Sequence, residues 1–184
     1  MSVAAVKPRR WTREEYDRLN EQGVFQEGER LELIEGEILE MTPQNARHAA
    51  TVTLVYGALD DALLAGYFIR GQLPLALSED SEPEPDIAVV AGSARDYLEA
   101  HPTTAALVVE VADSSLPFDR RRKLPLYARH RIPEFWLVNV ESEQLEAYRK
   151  PMGEAFLEQE ILTRGDRISS PILREPVAVA DLLP

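Results

Sequence analysis

Two short apolar stretches decide the fold of this chain: EPDIAVV at residues 84–90 and LVVEV at residues 107–111. Both are rich in Ile, Leu and Val, the pattern of strands that are buried on both faces of a sheet. Each carries a carboxylate, because Asp86 follows Pro85 where one apolar run begins and Glu110 interrupts the other. Burying an unpaired carboxylate costs several kcal/mol. Glu110 therefore predicts a metal ion, a buried basic partner or a strand face open to a cleft, unless it lies on a solvated edge.

The sequence around these strands mixes helix and strand signals. Thr12 with Glu15 is a capping box, which predicts a helix over residues 13–20 after a loose basic tail at residues 1–10. The run LELIEGEILEM at residues 31–41 predicts a hairpin hinged at Glu35-Gly36. Helical spacing predicts the longest helix over residues 45–65, with His48 in its first turn. Further strands are predicted at residues 67–70, 73–77, 134–140 and 144–148, and further helices at 94–99 and 119–130. The mixture predicts an α/β fold with a central mixed β-sheet flanked by helices.

Length and composition exclude several classes of protein. The 184 residues predict one domain over residues 1–184. The chain has no cysteine, which excludes disulfides, thiolate metal sites and a Cys nucleophile. No stretch approaches the roughly 20 apolar residues of a membrane helix, so we expect a soluble, cytoplasmic protein without membrane contact. The net charge of −12 argues against a protein held to DNA by bulk charge.

The two carboxylates predict a metal site when they are taken together. Asp86 at the mouth of its strand and Glu110 inside the neighbouring apolar run can point into one cleft. Hard oxygen ligands of this kind suit Mg²⁺ or Mn²⁺, which accept one or two carboxylates and keep several waters. Taken alone, Asp86 is most simply a turn residue after proline.

Lys123 is the third candidate, because the chain has only three lysines, Lys7, Lys123 and Lys150. Lys7 lies in the predicted tail and Lys150 in a Lys-Pro turn. Lys123 lies in a predicted helix with Tyr127 four residues later, the spacing that places both on one face. A lysine beside a metal-bound water can orient that water or stabilise charge on a phosphate. The alternative is an ordinary solvated basic start to the helix.

His48 and Glu35 are weaker candidates. A histidine in the first turn of a helix is most simply a surface residue, and Glu35 at a hairpin hinge is most simply a turn residue.

Several linked motifs nevertheless resemble one known family. They are the LIEGE-type hairpin, Arg47-His48 at a helix start, Pro85-Asp86, and the runs VVEVADSS, DRRRKLPLY and IPEFWLVNV at residues 108–115, 119–127 and 132–140. In this order, over residues 11–148, the chain resembles the Uma-type endonucleases of the restriction-endonuclease-like PD-(D/E)XK superfamily.

The resemblance implies a restriction-endonuclease-like core and a role for each candidate. Asp86 becomes the Asp of the Pro-Asp motif and Glu110 the second acidic metal ligand. Ala112 stands where the superfamily usually has a lysine, and Lys123 matches the lysine that the Uma-type pattern carries on the following helix. Catalytic positions are further implied at His48 and Glu35, with Tyr127 in a supporting role.

The residues and the resemblance together predict a metal-dependent endonuclease that hydrolyses DNA phosphodiester bonds, with Mg²⁺ or Mn²⁺ as cofactor. Two alternatives stay open at this point. One is a catalytically inactive, nuclease-fold binding protein, and the other is a metal-dependent hydrolase of a small phosphorylated substrate.

Two expectations concern partners. Residues 113–131 hold six basic against two acidic residues, which predicts a local positive patch that steers weak, transient contact with DNA. The aromatic pair Phe135-Trp136 fits either the core or a dimer interface, and a homodimer is expected because such nucleases commonly cut two strands.

Overall fold

The centre of the molecule is a six-stranded mixed sheet, seen in a computed structural model that describes residues 7–26 and 28–184. The helices α1 and α2 span Arg13–Glu21 and Ala46–Ala62. The strands, numbered along the chain, are β1 Leu31–Ile34, β2 Glu37–Glu40, β3 Tyr67–Gly71, β4 Ile87–Ala91, β5 Leu107–Ala112, β6 Glu134–Asn139, β7 Gln144–Met152, β8 Ala155–Thr163, β9 Arg167–Ile168 and β10 Val177–Ala178. Short 3₁₀ turns lie at Ala94–Tyr97 and Val179–Leu182.

The sheet runs in the order β3-β4-β5-β6-β7-β8. Strands β5 and β6 are parallel and every other neighbouring pair is antiparallel, so the sheet is mixed as predicted. The β1–β2 and β9–β10 pairs form separate two-stranded sheets. Strand β5 lies inside the sheet with all six residues buried, as its continuous apolar run predicts.

Two apolar clusters cover the two faces of this sheet. Helix α2 and the carboxyl-terminal segment pack on the face that carries Val109 and Trp136. The helix between β5 and β6 packs on the other face, which carries Val108 and Phe135. Because side chains alternate along a strand, Glu110 lies on the same face as Val108, toward that helix.

The local signals of the amino-terminal elements form as predicted. The Thr12 hydroxyl accepts from the Glu15 backbone N–H, while the Glu15 carboxylate accepts from the Thr12 N–H, so both halves of the capping box are present. The β1–β2 turn has positive φ at both Glu35 and Gly36. A Cβ at residue 36 would lie 2.7 Å from the Arg10 side chain, so this turn requires glycine.

The helix that connects β5 to β6, called the crossover helix below, contains a π-helical turn. It consists of α-helical Leu116–Phe118, π-helical Asp119–Lys123 and α-helical Leu124–Arg129. The start predicted for this helix, residue 119, is wrong, because the helix begins at Leu116 and Asp119 lies inside it, buried. The π turn places Asp119 and Lys123 on the buried side together. Such turns are frequent at functional sites.

The strand predicted at residues 73–77 does not form. After β3 the chain turns at Gln72, which has φ +53°, and Pro74 interrupts the apolar alternation. The backbone N–H groups of Leu75 and Leu77 then donate to the carbonyls of Pro83 and Ser81 within the same loop. These loop hydrogen bonds replace a strand ladder.

The aromatic pair of β6 lies in the core, and the start of the chain is only partly described. Phe135 and Trp136 are fully buried in β6, so they belong to the core and offer no dimer interface. Homodimerisation stays a prediction that this segment does not support. Of the predicted tail, residues 1–6 lie outside the described residues, and residues 7–10 form no helix or strand. Within the described residues no helix is both long and apolar enough to span a bilayer.

Candidate nuclease site

Asp86 and Glu110 meet because β4 and β5 are antiparallel neighbours. Ile87 pairs with Val109, so Asp86, just before β4, lies beside Glu110. One Asp86 carboxylate oxygen, Oδ2, accepts from the Val111 N–H at 2.9 Å, and Glu110 Oε2 accepts from the Asp86 N–H at 3.4 Å. The two residues are 5% and 3% exposed. Glu110 therefore does not lie on a solvated edge, which removes that alternative.

Lys123 is the buried basic partner of Glu110. Its Nζ lies 3.0 Å from Glu110 Oε1, and the Tyr127 hydroxyl donates to the same oxygen at 2.7 Å. The spacing of four residues on the crossover helix thus brings Lys123 and Tyr127 to one carboxylate, as their shared helix face predicts.

His48 reaches the other carboxylate from the first turn of α2. Its Nε2 lies 3.1 Å from Asp86 Oδ1, and Gln72 Nε2 donates to the same oxygen at 3.2 Å. The helix start is fixed by Asn45, whose side chain accepts from the His48 backbone N–H. The structure therefore brings His48, Asp86, Glu110, Lys123 and Tyr127 together.

Two buried carboxylates of this cluster were missed in the sequence. Glu32 on β1 lies 3.4 Å from Lys123 Nζ and accepts from the Glu84 N–H at 3.2 Å. Asp119 accepts from the Ser115 hydroxyl at 2.6 Å. Both side chains belong to residues that are 3% exposed. The available signal for Glu32 was the one that singled out Glu110, a carboxylate flanked by apolar residues in a short strand.

Glu35 does not join the cluster, which corrects its place among the candidate site residues. Its side chain is 35% exposed at the β1–β2 turn, where it pairs with Arg129 and lies 3.6 Å from Arg122. The hairpin contributes Glu32 instead. Glu32 lies in β1, where its side chain is buried, whereas Glu35 forms the turn three residues later.

A cavity of about 420 Å³ opens onto this cluster. Its floor includes the buried residues Glu32, Asp86, Glu110, Asp119 and Lys123, and His48 also lines it. The remaining lining comes from the end of the β1–β2 hairpin, the start of α2 and the chain after β5, with side chains of Arg30, Leu39, Glu40, Met41, Thr42, Pro43, Gln44, Asn45, Val111, Asp113, Ser114, Ser115 and Phe118.

The floor of the cavity holds more negative than positive charge, and the pKa values respond to this excess. Burial raises the pKa of Glu110, and the charges of Asp86 and Asp119 act in the same direction, whereas Lys123 opposes them. Burial also raises the pKa of Asp119. The pKa of Asp86 is lowered despite its burial, because His48 and the Val111 N–H favour the carboxylate. Burial alone would lower the pKa of Lys123, but Glu110 and Glu32 raise it, so Lys123 stays cationic.

The residues present fit a hard divalent cation bound by two carboxylates. Mg²⁺ is usually held by one or two carboxylates, with waters and substrate oxygens completing its coordination. Asp86 and Glu110 supply such a pair, and four buried carboxylates against one lysine leave negative charge for a cation to neutralise. Among the described residues no three or more His, Cys, Asp or Glu side chains form a ready metal-binding group. The fit is therefore to a site that is completed by water and substrate.

The positive patch predicted at residues 113–131 is largely neutralised. Four of its six basic side chains lie in ion pairs with acidic residues from other elements: Arg120 with Glu146, Arg122 with Glu37, Lys123 with Glu110, and Arg129 with Glu35. The segment is thus mainly a partner for acidic side chains of the same chain.

Known proteins share this architecture. The crystal structure of a "putative nuclease belonging to DUF820" from Anabaena variabilis matches with a TM-score of 0.73 and 17% identity, covering 93% of this chain and 96% of that chain. At this identity the likeness shows a common fold. None of the curated proteins matches this chain. The model of the Uma2 family, described as "Putative restriction endonuclease", matches residues 13–180. The resemblance seen in the motifs is thereby confirmed, and the chain belongs to the Uma2 family.

Proposed function

We propose that this protein is a metal-dependent endonuclease that hydrolyses DNA phosphodiester bonds, with Mg²⁺ or Mn²⁺ held by Asp86 and Glu110. The observation that carries the proposal is the adjacent pair of buried carboxylates on the floor of an open cavity, with Lys123 Nζ 3.0 Å from Glu110. Membership of a family described as restriction endonucleases supports the same reaction.

Each residue of the cluster has a distinct task in this reaction. The bound metal would lower the pKa of an attacking water and offset charge at the scissile phosphate. The Val111 N–H and His48 hold the Asp86 carboxylate in place. Tyr127 and Lys123 fix Glu110 Oε1 in the same way.

Lys123 also has capacity for the substrate. An ammonium group has three donors, and its ion-pair partners among the described residues are Glu110 and Glu32. The third donor can donate to the attacking water or to a phosphate oxygen, where it stabilises developing negative charge. The usual superfamily position is occupied by Ala112, which is fully buried in an apolar cluster. The crossover helix thus supplies a lysine to Glu110 from a different backbone position.

A nicking assay with matched variants tests the proposal. Purified protein is incubated with plasmid and with single-stranded DNA in Mg²⁺ or Mn²⁺, beside Asp86→Asn, Glu110→Gln and the control Glu40→Gln. Glu40 lines the cavity on its exposed rim, so Glu40→Gln controls for a general change in cavity charge. We expect metal-dependent cleavage by the wild type and the control, and loss of cleavage in both floor variants. Unchanged cleavage in both floor variants would refute the assignment.

Two further measurements separate the alternatives. The ion pair between Lys123 and Glu110 favours an inactive binding protein, which would show salt-sensitive DNA binding without cleavage. The concave cavity favours a hydrolase of a small phosphorylated compound. That enzyme would cleave a small phosphodiester, and DNA would not compete with this hydrolysis.

A further inference from the structure

We propose that the cavity admits one unpaired nucleotide of a DNA strand, so that the substrate is single-stranded or locally unpaired DNA. The inference rests on the proposed nuclease function and concerns the same cavity. It follows from the depth of the carboxylates, the apolar part of the lining and the shortage of free basic side chains around the cavity.

The carboxylates lie too deep for an intact duplex to present its backbone to them. Glu110 and Asp86 are 3% and 5% exposed, and the hairpin end and the start of α2 surround the opening above them. The cavity of about 420 Å³ falls in the range of about 300 to 1,000 Å³ that is typical of sites for one small molecule. In a duplex each phosphate is flanked by stacked base pairs, whereas an unpaired nucleotide can enter with its phosphate leading.

Part of the lining is suited to a base and not to a phosphate. Leu39, Met41 and Phe118 are partly exposed side chains that face this cavity, and Pro43 adds a fourth apolar surface. Charged phosphates gain nothing from such surfaces. Unstacked bases in single strands, in contrast, commonly stack on aromatic and apolar side chains. The cavity therefore combines carboxylates for the phosphodiester with an apolar surface for the adjacent base.

The charge around the cavity also disfavours a duplex. Duplex binding depends on several Lys or Arg contacts to phosphates. The rim carries the exposed Glu40 and the half-buried Asp113, and the lysine and arginine residues that line the cavity are the buried Lys123 and Arg30. Three of the four arginines of the crossover helix, at positions 120, 122 and 129, are engaged with acidic partners, and Arg121 is exposed. Base stacking is then the larger available source of affinity, and stacking requires an unpaired base.

Binding measurements that do not depend on cleavage test this inference. Fluorescence anisotropy would compare a labelled single strand, the same strand with abasic positions, the matching duplex, and that duplex with a central unpaired loop. The measurements are made in Ca²⁺ in place of Mg²⁺, because Ca²⁺ is also a hard cation that binds oxygen ligands. We expect the single strand and the looped duplex to bind about tenfold more tightly than the duplex and the abasic strand, the effect of one base-stacking contact.

Variants connect the preference to the cavity. Phe118→Ala should weaken single-strand binding about tenfold, and Phe25→Ala is its control, because Phe25 is also partly exposed but packs on Tyr16 outside the cavity. Leu39→Ala tests the same surface from the hairpin, with the exposed Leu157→Ala as control. Circular dichroism checks that all four variants fold. Equal affinity for duplex and single strand, or unchanged single-strand binding in both cavity variants, would overturn the inference.

The outcomes keep this inference separate from the nuclease proposal. Selective single-strand binding that depends on Phe118, without cleavage in Mg²⁺, would support the nucleotide cavity and refute the nuclease. Metal-dependent cleavage of fully paired duplex that is insensitive to Phe118→Ala and Leu39→Ala would support the nuclease and refute the nucleotide cavity.

Discussion

Replacing Lys123 by methionine tests whether one buried ammonium group holds the acidic cluster together. Lys123 is 4% exposed, with Nζ 3.0 Å from Glu110 Oε1 and 3.4 Å from Glu32 Oε2. Methionine keeps most of the side-chain length and removes the charge. Lys123→Met therefore leaves Glu110, Glu32 and Asp119 buried without their shared cation.

The size of the effect follows from these distances. At an effective dielectric constant of about 20, each of the two close attractions contributes about 5 kcal/mol before the cost of desolvation. Desolvation of the three groups offsets most of this energy. Removing one partner from a buried ion pair nevertheless costs about 3 to 5 kcal/mol, because the remaining charge stays buried. We expect Lys123→Met to lower the free energy of unfolding by that amount, which for a domain of this size lowers Tm by roughly 10 °C.

Urea unfolding at pH 7 measures the change, with Lys123→Met compared to the double variant Lys123→Met/Glu110→Gln. The second substitution removes one of the buried carboxyl groups that Lys123 compensates, so the double variant should recover about 1 to 3 kcal/mol. Arg121→Met is the matched control, since Arg121 is an exposed residue of the same π turn. A loss below about 1 kcal/mol in Lys123→Met, equal to that of the control, would show that Lys123 does not compensate the buried acids.

Three further predictions concern groups around the cluster. Burial raises the pKa of Glu82 to about 7 from its ordinary value of 4.5. Above pH 4.5 the native state therefore binds more protons than the unfolded chain, so the free energy of unfolding falls as pH rises from 4.5 to 7. Glu82→Gln should flatten this fall and gain up to about 3 kcal/mol over the wild type above pH 7; parallel urea curves across this range would contradict it. Tyr127→Phe removes the donor to Glu110 Oε1 and should cost about 1 to 3 kcal/mol in thermal or urea unfolding, whereas an unchanged value would mean that water replaces the hydroxyl. Glu35→Gln should change stability by less than about 1 kcal/mol and leave cleavage at the wild-type rate, since its ion pair with Arg129 is on the surface; cleavage lost as in Glu110→Gln would place Glu35 back in the site.

The sequence predicts correctly those elements that are specified by a few neighbouring residues. The capping box that begins with Thr12 and the turn at Glu35-Gly36 depend on contacts within three or four residues, and both form. The apolar runs of β4 and β5 were also sufficient to predict these strands, because a strand that is buried on both faces consists almost entirely of apolar residues. The alternation Leu73, Leu75, Leu77 failed as a strand signal, since bonds to Pro83 and Ser81 compete with pairing and lie outside any local pattern.

The site was predictable where a charged residue interrupts an apolar pattern. Glu110 inside LVVEV is such an interruption, and the scarcity of lysine isolated Lys123. The burial of Glu32 could not be predicted, because the alternation of Glu and Leu in a hairpin also fits a strand with one solvated face. Its burial depends on packing across 91 residues of sequence, from Glu32 to Lys123 on the crossover helix. The burial of Asp119 could not be predicted either. A helix that starts at residue 119 would expose Asp119, whereas the π turn places it on the buried side.

The ion pairs of the crossover helix show where the net charge of −12 is concentrated. Acidic residues of the hairpin and of β7 pair with three of the four arginines of the crossover helix, so the basic segment at residues 113–131 contributes more to the stability of the fold than to the attraction of DNA. Four buried carboxylates then remain around one lysine on the floor of the cavity. An anionic substrate reaches such a floor only if another cation offsets the repulsion or if an uncharged part of the substrate supplies binding energy. In the proposed reaction Asp86 and Glu110 would bind that cation, and Leu39 and Phe118 would contact an uncharged base. The acidity would then favour a metal-loaded site and an unpaired strand.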